Sequence, residues 1–414
     1  MAADASVRVV PDQVQTAGRS VLGAAQALRG GGRGWTLLSV AFGWLLILGL
    51  RFAVPALLPQ VKAEFHLSNA TAGVAITVIW MAYGLMQFPA GMLVDRVGER
   101  RLLAGSLLLA GASVGALGVA PVFAVFLVAC AALGLGTGLY GPPRGLILSK
   151  MFPENDGAAF GFTLAAGSIG GATIPALAGL LATRVGWRLA VVVSIPLYVL
   201  VGAALWRSVP TTAGEGSRMS LVPDFETVAA AVANRRVAVS VSAVTALLFA
   251  FQALTAFLPT YLVETKGLSP GTAAGFYALL FVFGAGFQLS AGSAADRFGD
   301  RAVIVAITAF SVLPLLALPF ATGPLAIGVL VALLGARLGA IPVSNAYIVA
   351  ALPDEVQGTT WGLLRTSFFV VGATGSTVVG LLADRGFFDG AFFLLGGITA
   401  LAAGLFLFLP PRRR

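Results

Sequence analysis

Long apolar runs, separated by short polar stretches, occupy most of the chain. The run at residues 37–58 is long enough to cross a bilayer, which takes about 20 apolar residues. Because the runs are continuous rather than alternating between apolar and polar residues, they predict helices and not strands. Twelve spans are predicted, at residues 35–59, 70–93, 102–120, 122–148, 157–183, 187–206, 237–262, 270–294, 302–320, 324–350, 358–383 and 388–409.

The composition is that of a chain whose main solvent is lipid. Only 10% of the residues are charged and 58% are hydrophobic, whereas a soluble domain carries about 25% charged residues. Glycine occurs 52 times, and small residues let helices pack closely in a membrane. The pattern and the composition together predict an all-α integral membrane protein.

Two polar segments divide the chain. Residues 1–34 carry four arginines and lack the apolar core of a signal peptide, so we expect a cytoplasmic tail there. The longest polar stretch after it is 208–235, which we expect to be a cytoplasmic linker. The domains on either side of this linker, 35–207 and 236–414, are each predicted to hold six spans.

The placement of lysine and arginine predicts the orientation. Most of the 26 basic residues fall in the tail, the linker, the last residues and the loops on the same side, and basic loops tend to stay in the cytoplasm. The loops of the opposite side hold Lys62, Arg184, Arg188, Lys266 and Arg385. We therefore expect a multi-pass protein of the cell membrane with both termini in the cytoplasm.

A charged island between the second and third spans recurs 201 positions later, between the eighth and ninth. The first copy consists of Gly91, Asp95, Arg96, Gly98, Arg100 and Arg101, and the second of Gly292, Asp296, Arg297, Gly299 and Arg301. Internal repeats of this kind indicate a doubled architecture. Because the offset preserves the direction in which each span crosses, the halves are predicted to be related by an axis along the membrane normal.

The first island resembles the signature loop between helices 2 and 3 of the major facilitator superfamily, and the second resembles its weaker repeat between helices 8 and 9. The resemblance implies two six-helix bundles that rock around a central site, with helices 1, 4, 7 and 10 lining the path. It also implies that the island latches one conformation by contacting the neighbouring bundle. Gly91 and Gly98 are expected to permit a tight reversal. The alternative is a basic loop that only sets orientation.

Four arginines lie inside predicted spans, namely Arg51, Arg144, Arg337 and Arg365. An ionisable residue in a membrane span costs at least about 2.5 kcal/mol and marks a functional site by default. No Asp or Glu lies in the interior of a predicted span. Because a guanidinium group recognises carboxylates and similar anions, we predict a secondary transporter of a small organic anion.

The predicted substrate-binding residues are Arg51, Arg144, Gln252, Arg337 and Asn345. Each arginine has an alternative role that the sequence leaves open. Arg51 could extend to the outer headgroups, Arg337 could be bridged by water between helices, and Arg144 could pair with Asp95. Arg365 is expected to be structural. Asn345 is the repeat counterpart of Arg144.

A further set of residues is predicted in helix packing or gating, namely Gln87, Gln288, Pro142, Pro143, Gly170, Pro175 and Gly179. Adjacent prolines should distort the fourth span. The two glutamines hold equivalent positions in the two halves, where they can bond across helices. In the fifth span, the glycines and the proline agree only in part with the helix-5 motif of drug–proton antiporters, because Ile174 and Ala178 replace expected glycines. Proton-coupled efflux of a drug or metabolite therefore stays open as the alternative.

Several other classes of protein are not expected. The single Cys130 and single His66 exclude an internal disulfide and leave no cysteine or histidine cluster for a metal. The sequence contains no nucleophile–base set and no phosphate-binding loop that would indicate an enzyme. No cofactor is predicted. Basic residues are scattered over short loops, so a nucleic-acid partner is not expected. Nothing in the sequence indicates an oligomer, so we expect a monomer in lipid.

Overall fold

The computed structural model describes residues 33–211, 234–353 and 357–409. Most of the predicted tail 1–34 and of the predicted linker 208–235 lies outside the described residues, as do the last residues, 410–414. Within the described ranges the chain is helical and contains no strand.

Twelve helices in these ranges are long and apolar enough to cross a membrane, which confirms the predicted spans. We number them α1 Arg33–Phe65, α2 Asn69–Val97, α3 Glu99–Val119, α4 Phe123–Met151, α5 Asp156–Val185, α6 Trp187–Ser208, α7 Arg235–Glu264, α8 Pro270–Phe298, α9 Asp300–Phe320, α10 Pro324–Val349, α11 Gln357–Asp384 and α12 Phe388–Leu407. Several helices run past the predicted apolar limits, because a helix goes on satisfying its own backbone beyond the hydrocarbon core.

Two of the helices that matter for function are interrupted. The fourth consists of Phe123–Gly138 and Gly141–Met151, with proline in the first turn of the second piece. This confirms the distortion predicted from Pro142 and Pro143, because proline cannot donate a backbone hydrogen bond. The tenth contains a 3₁₀ segment, Gly335–Gly339, near the equivalent level of the other half.

The sequence repeat is also a repeat of helix packing. A Cβ atom added to Gly134 of α4 would lie 2.4 Å from the carbonyl oxygen of Ile79 in α2. A Cβ atom added to Gly335 of α10 would lie 2.5 Å from the carbonyl oxygen of Leu280 in α8. Both members of the second pair follow the first by 201 positions. The same close helix crossing is thus built once in each bundle, as expected of two pseudo-symmetric halves.

The two charged islands contain the same turn. Gly98 ends α2 with φ 85° and Gly299 ends α8 with φ 88°, and each is followed at once by the next helix. A positive φ is favourable for glycine and costly for other residues. The expectation that Gly91 also forms the reversal is wrong, since Gly91 lies inside α2 and a Cβ there would meet nothing within 4 Å.

The two halves are joined at the end of the molecule opposite the islands, which we call the far end. The Lys62 ammonium lies 2.5 Å from the Glu264 carboxylate of the other half and also donates to the side chain of Asn69. The Asp384 carboxylate of the second half accepts hydrogen bonds from the backbone N–H groups that open α2. The bundles are therefore closed against each other at the far end.

The island end is arranged differently. Arg100 donates to the Thr211 hydroxyl, 2.8 Å away, and Arg301 donates to the Leu407 carbonyl, 2.5 Å away. Arg100 thus bonds to the start of the predicted linker, and Arg301 bonds within the second half. The latch that the family resemblance implies stays a prediction.

Candidate functional site

Arg51 lies in the middle of α1, among aromatic rings. Only 2% of the residue is exposed. Its guanidinium carbon is 4.0 Å from the centroid of the Tyr83 ring, 4.9 Å from that of Trp80 and 5.7 Å from that of Trp44. Trp80 and Tyr83 lie on one face of α2 because they are three residues apart. The alternative in which Arg51 extends to the headgroups is therefore wrong.

The charge of Arg51 meets no carboxylate in the described part of the chain. The ion pairs formed there are Lys62–Glu264, Lys150–Glu99 and Arg188–Glu64, all near helix ends. The Nε atom of Arg51 is buried without a hydrogen-bond partner. Each desolvated cation–π contact contributes about 2 kcal/mol, so the three rings offset much of the several kcal/mol that burial of an ion costs but leave its charge without a counter-ion. The site can therefore gain stability from an anion.

Arg144 lies beside the same group, at the start of the second piece of α4. Its guanidinium carbon is 4.4 Å from the centroid of the Trp44 ring, and Nη1 donates to the Thr163 hydroxyl, 2.9 Å away. Its Nε atom also has no partner. Asp95 is exposed at the island end, and no ion pair of the described residues joins it to Arg144.

The second half contributes Arg365 and Phe369 from α11. The guanidinium carbon of Arg365 is 5.8 Å from the centroid of the Phe369 ring, and the centroids of Phe369 and Tyr83 are 5.0 Å apart. The Phe369 ring stacks on Trp80, with centroids 6.0 Å apart and planes 2° apart. Arg365 was expected to be structural, and the structure instead places it beside the predicted site. We call Arg51, Arg144, Arg365 and the rings of Trp44, Trp80, Tyr83 and Phe369 the arginine cluster.

Arg337 does not join the arginine cluster. It lies in the 3₁₀ segment of α10, is 3% exposed, and has no hydrogen-bond partner for either Nη atom. Its repeat counterpart is Gly136, where a Cβ atom would lie 3.1 Å from the Leu109 side chain of α3. No ring contact or ion pair of the described residues joins Arg337 to the arginine cluster. A role for Arg337 in substrate binding stays a prediction.

Two other predicted residues also carry polar atoms without partners. Gln252 of α7 is fully buried, and neither the nitrogen nor the oxygen of its amide has a hydrogen-bond partner in the described part of the chain. Asn345 of α10 is half-buried, and its Oδ1 atom has none. Gln252 follows Arg51 by 201 positions, so the two are equivalent in the two halves.

The two predicted packing glutamines differ in role. The Nε2 atom of Gln87 donates to the Tyr83 carbonyl of its own helix, 3.4 Å away. The Oε1 atom of Gln288 accepts from the Ser168 hydroxyl of α5, 3.3 Å away. Only Gln288 therefore bonds across the two halves.

The two glycines of α5 that are predicted in packing, Gly170 and Gly179, lie at close helix crossings. A Cβ atom at Gly170 would lie 2.1 Å from the Leu45 carbonyl oxygen of α1, within the first half. A Cβ atom at Gly179 would lie 2.5 Å from the Cβ atom of Ala274 in α8, across the halves. Pro175 lies between them and is buried in a helix that continues past it.

Most charged side chains of the two islands are exposed on the surface of the protein. In the first copy, Asp95, Arg96 and Arg101 are exposed. In the second copy, Gly292, Asp296 and Arg297 are exposed. Glu99, which begins α3, differs because it is 1% exposed and lies 2.6 Å from the Lys150 ammonium. A carboxylate in the first turn of a helix is also stabilised by the helix dipole.

Comparison with known proteins identifies the family. The profile of the Major Facilitator Superfamily matches residues 40–341 and 281–414. The multidrug resistance protein MdtG of Yersinia enterocolitica is 26% identical over 366 residues, covering 85% of this chain and 86% of the relative. The probable sulfoacetate transporter SauU of Cupriavidus necator is 25% identical over 382 residues, covering 85% and 88%.

A solved structure has the same fold. It is a bacterial homolog of the human lysosomal transporter Spinster in an inward-facing and unoccupied conformation, with a TM-score of 0.75, 16% sequence identity, and coverage of 92% of this chain and 97% of that chain. Together with the twelve spans, the profile match explains the doubled helical architecture and the paired islands. The chain belongs to the major facilitator superfamily and is a multi-pass membrane transporter, not an enzyme.

Proposed function

We propose that this transporter carries a small organic anion, such as a carboxylate or a sulfonate, by secondary active transport. The observation that carries the proposal is the buried, carboxylate-free environment of Arg51. Arg144 and Arg365 add two further positive charges nearby, so an anion would relieve repulsion as well as fill the free hydrogen-bonding positions. The relative SauU is named as a probable transporter of sulfoacetate, which carries both a sulfonate and a carboxylate group. Its name supports an organic anion as the substrate of this chain.

The aromatic rings suit the same task. Rings that lie over a guanidinium cover its apolar faces and leave its N–H groups free at the edge. Those edge groups form paired hydrogen bonds with planar oxyanions. The role proposed for Arg51 is therefore to bind the anionic group directly, and the roles proposed for Arg144 and Arg365 are to complete its positive surroundings.

Transport would proceed by alternating access. With both termini in the cytoplasm, as the basic loops predict, the closed far end faces outward and the site opens inward. Rocking of the halves would break the far-end contacts and bring the islands against the neighbouring bundle. The inward-facing conformation of the structural relative supports this assignment of the state.

The test is anion binding by purified protein, followed by uptake into proteoliposomes. Acetate, propionate, lactate and sulfoacetate are screened as thermal-shift ligands, because a ligand that binds only the folded state raises its stability by about 2.7 kcal/mol at 100 times Kd. Arg51→Gln is expected to abolish the shift and the uptake. Arg188→Gln is the matched control, since Arg188 pairs with Glu64 at the far end.

The Arg51 and Arg337 variants also test which of the predicted arginines binds the anion. Anion binding that survives Arg51→Gln would overturn the proposal for the arginine cluster. Arg337→Gln tests the separate position in α10, and unchanged uptake in that variant would remove Arg337 from the substrate path.

A second candidate is proton-coupled efflux of a drug or metabolite. It is favoured by the similarity to MdtG, a multidrug resistance protein by name, and by the aromatic rings of Trp44, Trp80 and Phe369, which suit an amphipathic compound. Expression in a pump-deleted host would then lower drug susceptibility, and Trp80→Ala would restore it. That result, together with no anion binding, would replace the anion proposal.

A further inference from the structure

Gln252 is the one amide near the arginine cluster whose nitrogen and oxygen are both buried without a hydrogen-bond partner among the described residues. It occupies in α7 the position that Arg51 occupies in α1. Phe251, which precedes Gln252, and Phe52, which follows Arg51, have ring centroids 6.1 Å apart. Burying an amide without hydrogen bonds costs on the order of 2–7 kcal/mol, depending on the reference. A buried polar group that carries such a cost calls for an explanation, and in a transporter a bound ligand is one that satisfies it.

The surroundings of Gln252 do not supply the missing partner. The nearby hydroxyls of Thr255 and Ser376 donate to backbone carbonyls, including the carbonyl of Gln252 itself at 3.3 and 3.4 Å. The residue of α11 that faces the side chain is Gly372, where a Cβ atom would lie 3.1 Å from Nε2. The amide is thus next to a position with no side chain, and its own hydrogen-bonding capacity remains free.

One face of α11 connects Gln252 to the arginine cluster. Phe369 and Gly372 are three residues apart and so lie on the same face, with an axial rise of about 4.5 Å between them. Phe369 stacks on Trp80, the ring that also carries the Arg51 guanidinium. The free amide therefore lies about one helical turn from the rings that bound the cationic site.

The two equivalent positions differ in chemistry. Arg51 offers only donors and a positive charge, whereas an amide offers two donors and an acceptor without charge. An anionic oxygen can only accept, so it leaves the amide oxygen without a partner. A hydroxyl both donates and accepts, and it can satisfy both ends of the amide.

We infer that Gln252 binds a hydroxyl group of the transported anion and makes the transporter selective for hydroxy acids over the corresponding simple acids. This inference rests on the proposed anion transport. The carboxylate binds at Arg51 of the first half, and the hydroxyl on the adjacent carbon binds at Gln252 of the second half. A single small substrate thereby contacts both bundles, and its binding is linked to their relative position.

The experiment compares lactate with propionate, which differ by one hydroxyl, in equilibrium binding to the purified full-length protein. The wild type is expected to bind lactate about tenfold more tightly, which corresponds to about 1.4 kcal/mol. Gln252→Leu and Gln252→Met are expected to bring lactate to the affinity of propionate while leaving propionate unchanged. Gln87→Leu is the matched control, because the Gln87 amide bonds its own helix, and it should keep the preference.

Each outcome separates the inference from the proposed function. Equal affinities in the wild type, or a preference that survives both Gln252 variants, would overturn the selectivity role and leave anion transport standing. Binding of both anions that is lost only in Arg51→Gln supports anion transport. If the wild type binds neither lactate nor propionate but binds sulfoacetate, the inference fails and anion transport stands. If it binds none of the four screened anions, both the inference and its premise fail. Two hydrophobic replacements are used so that a folding defect in one, seen as a lower melting temperature without ligand, does not decide the result.

Discussion

The carboxylate of Asp384, at the end of α11, accepts hydrogen bonds from the backbone N–H groups of Asn69, 2.6 Å away, and Ala70, 2.8 Å away, in the first turn of α2. The first N–H groups of a helix have no partner within the helix. The second half thus caps a helix of the first half, and a negative charge is also favourable at this helix end.

Removing that charge should weaken the far-end closure. Asp384→Asn loses a helix-dipole contact worth about 0.3–1 kcal/mol when exposed, so the population open at the far end should rise by up to about fivefold. The measurement is the distance distribution between spin labels at the exposed positions Val185 and Phe387. Asp389→Asn is the control, since Asp389 accepts from Tyr261 of its own half. An unchanged distribution in Asp384→Asn would show that the cap does not hold the halves together.

Replacing glycine by alanine should lower the stability of the protein at the helix crossings and raise it at the islands. Gly134→Ala and Gly335→Ala place a Cβ atom within 2.5 Å of a backbone oxygen, and overpacking costs about 1–3 kcal/mol. Gly91→Ala and Gly292→Ala meet nothing within 4 Å and should stabilise their helices by about 0.5–1 kcal/mol. Thermal unfolding of the four purified variants measures both signs, and equal shifts in all four would contradict the packing that the structure shows.

The role of the first island as a latch stays a prediction, and it has a kinetic test. Asp95 is exposed when the far end is closed, so Asp95→Asn should leave the melting temperature of the purified protein unchanged. If the latch forms in the other conformation, the same variant should slow uptake into proteoliposomes several-fold. Glu154→Gln, an exposed acid at the same end, is the control. Equal uptake by both variants and the wild type would favour a loop that only sets orientation.

The predicted orientation can be tested by cysteine labelling, because the native Cys130 is buried. Ala63→Cys at the far end and Glu154→Cys at the island end each place a thiol at an exposed position. In intact cells, a membrane-impermeant maleimide should label Ala63→Cys and spare Glu154→Cys until the membrane is permeabilised. The reverse pattern would place the termini outside the cytoplasm.

The arginine cluster shows where sequence reasoning reached its limit. Arg51 could be recognised because an arginine in an apolar run without a nearby carboxylate stands out in any membrane chain. Arg365 carries the same signal, but its place near a helix end predicts a structural role. Its neighbour Phe369 packs on Trp80 and Tyr83 of the other half, and this packing of α11 on α2 is a property of the assembled bundles.

The amino-acid sequence by itself determined the twelve spans, the doubled architecture and the absence of acidic residues from the predicted span interiors. These features depend on local hydropathy and on a fixed offset, and both are properties of the chain before it folds. Only the tertiary structure decided that Arg51, Arg144 and Arg365 contact aromatic rings contributed by both halves. That arrangement depends on which helix faces meet between the halves, and glycine crossings and interhelical contacts determine those faces.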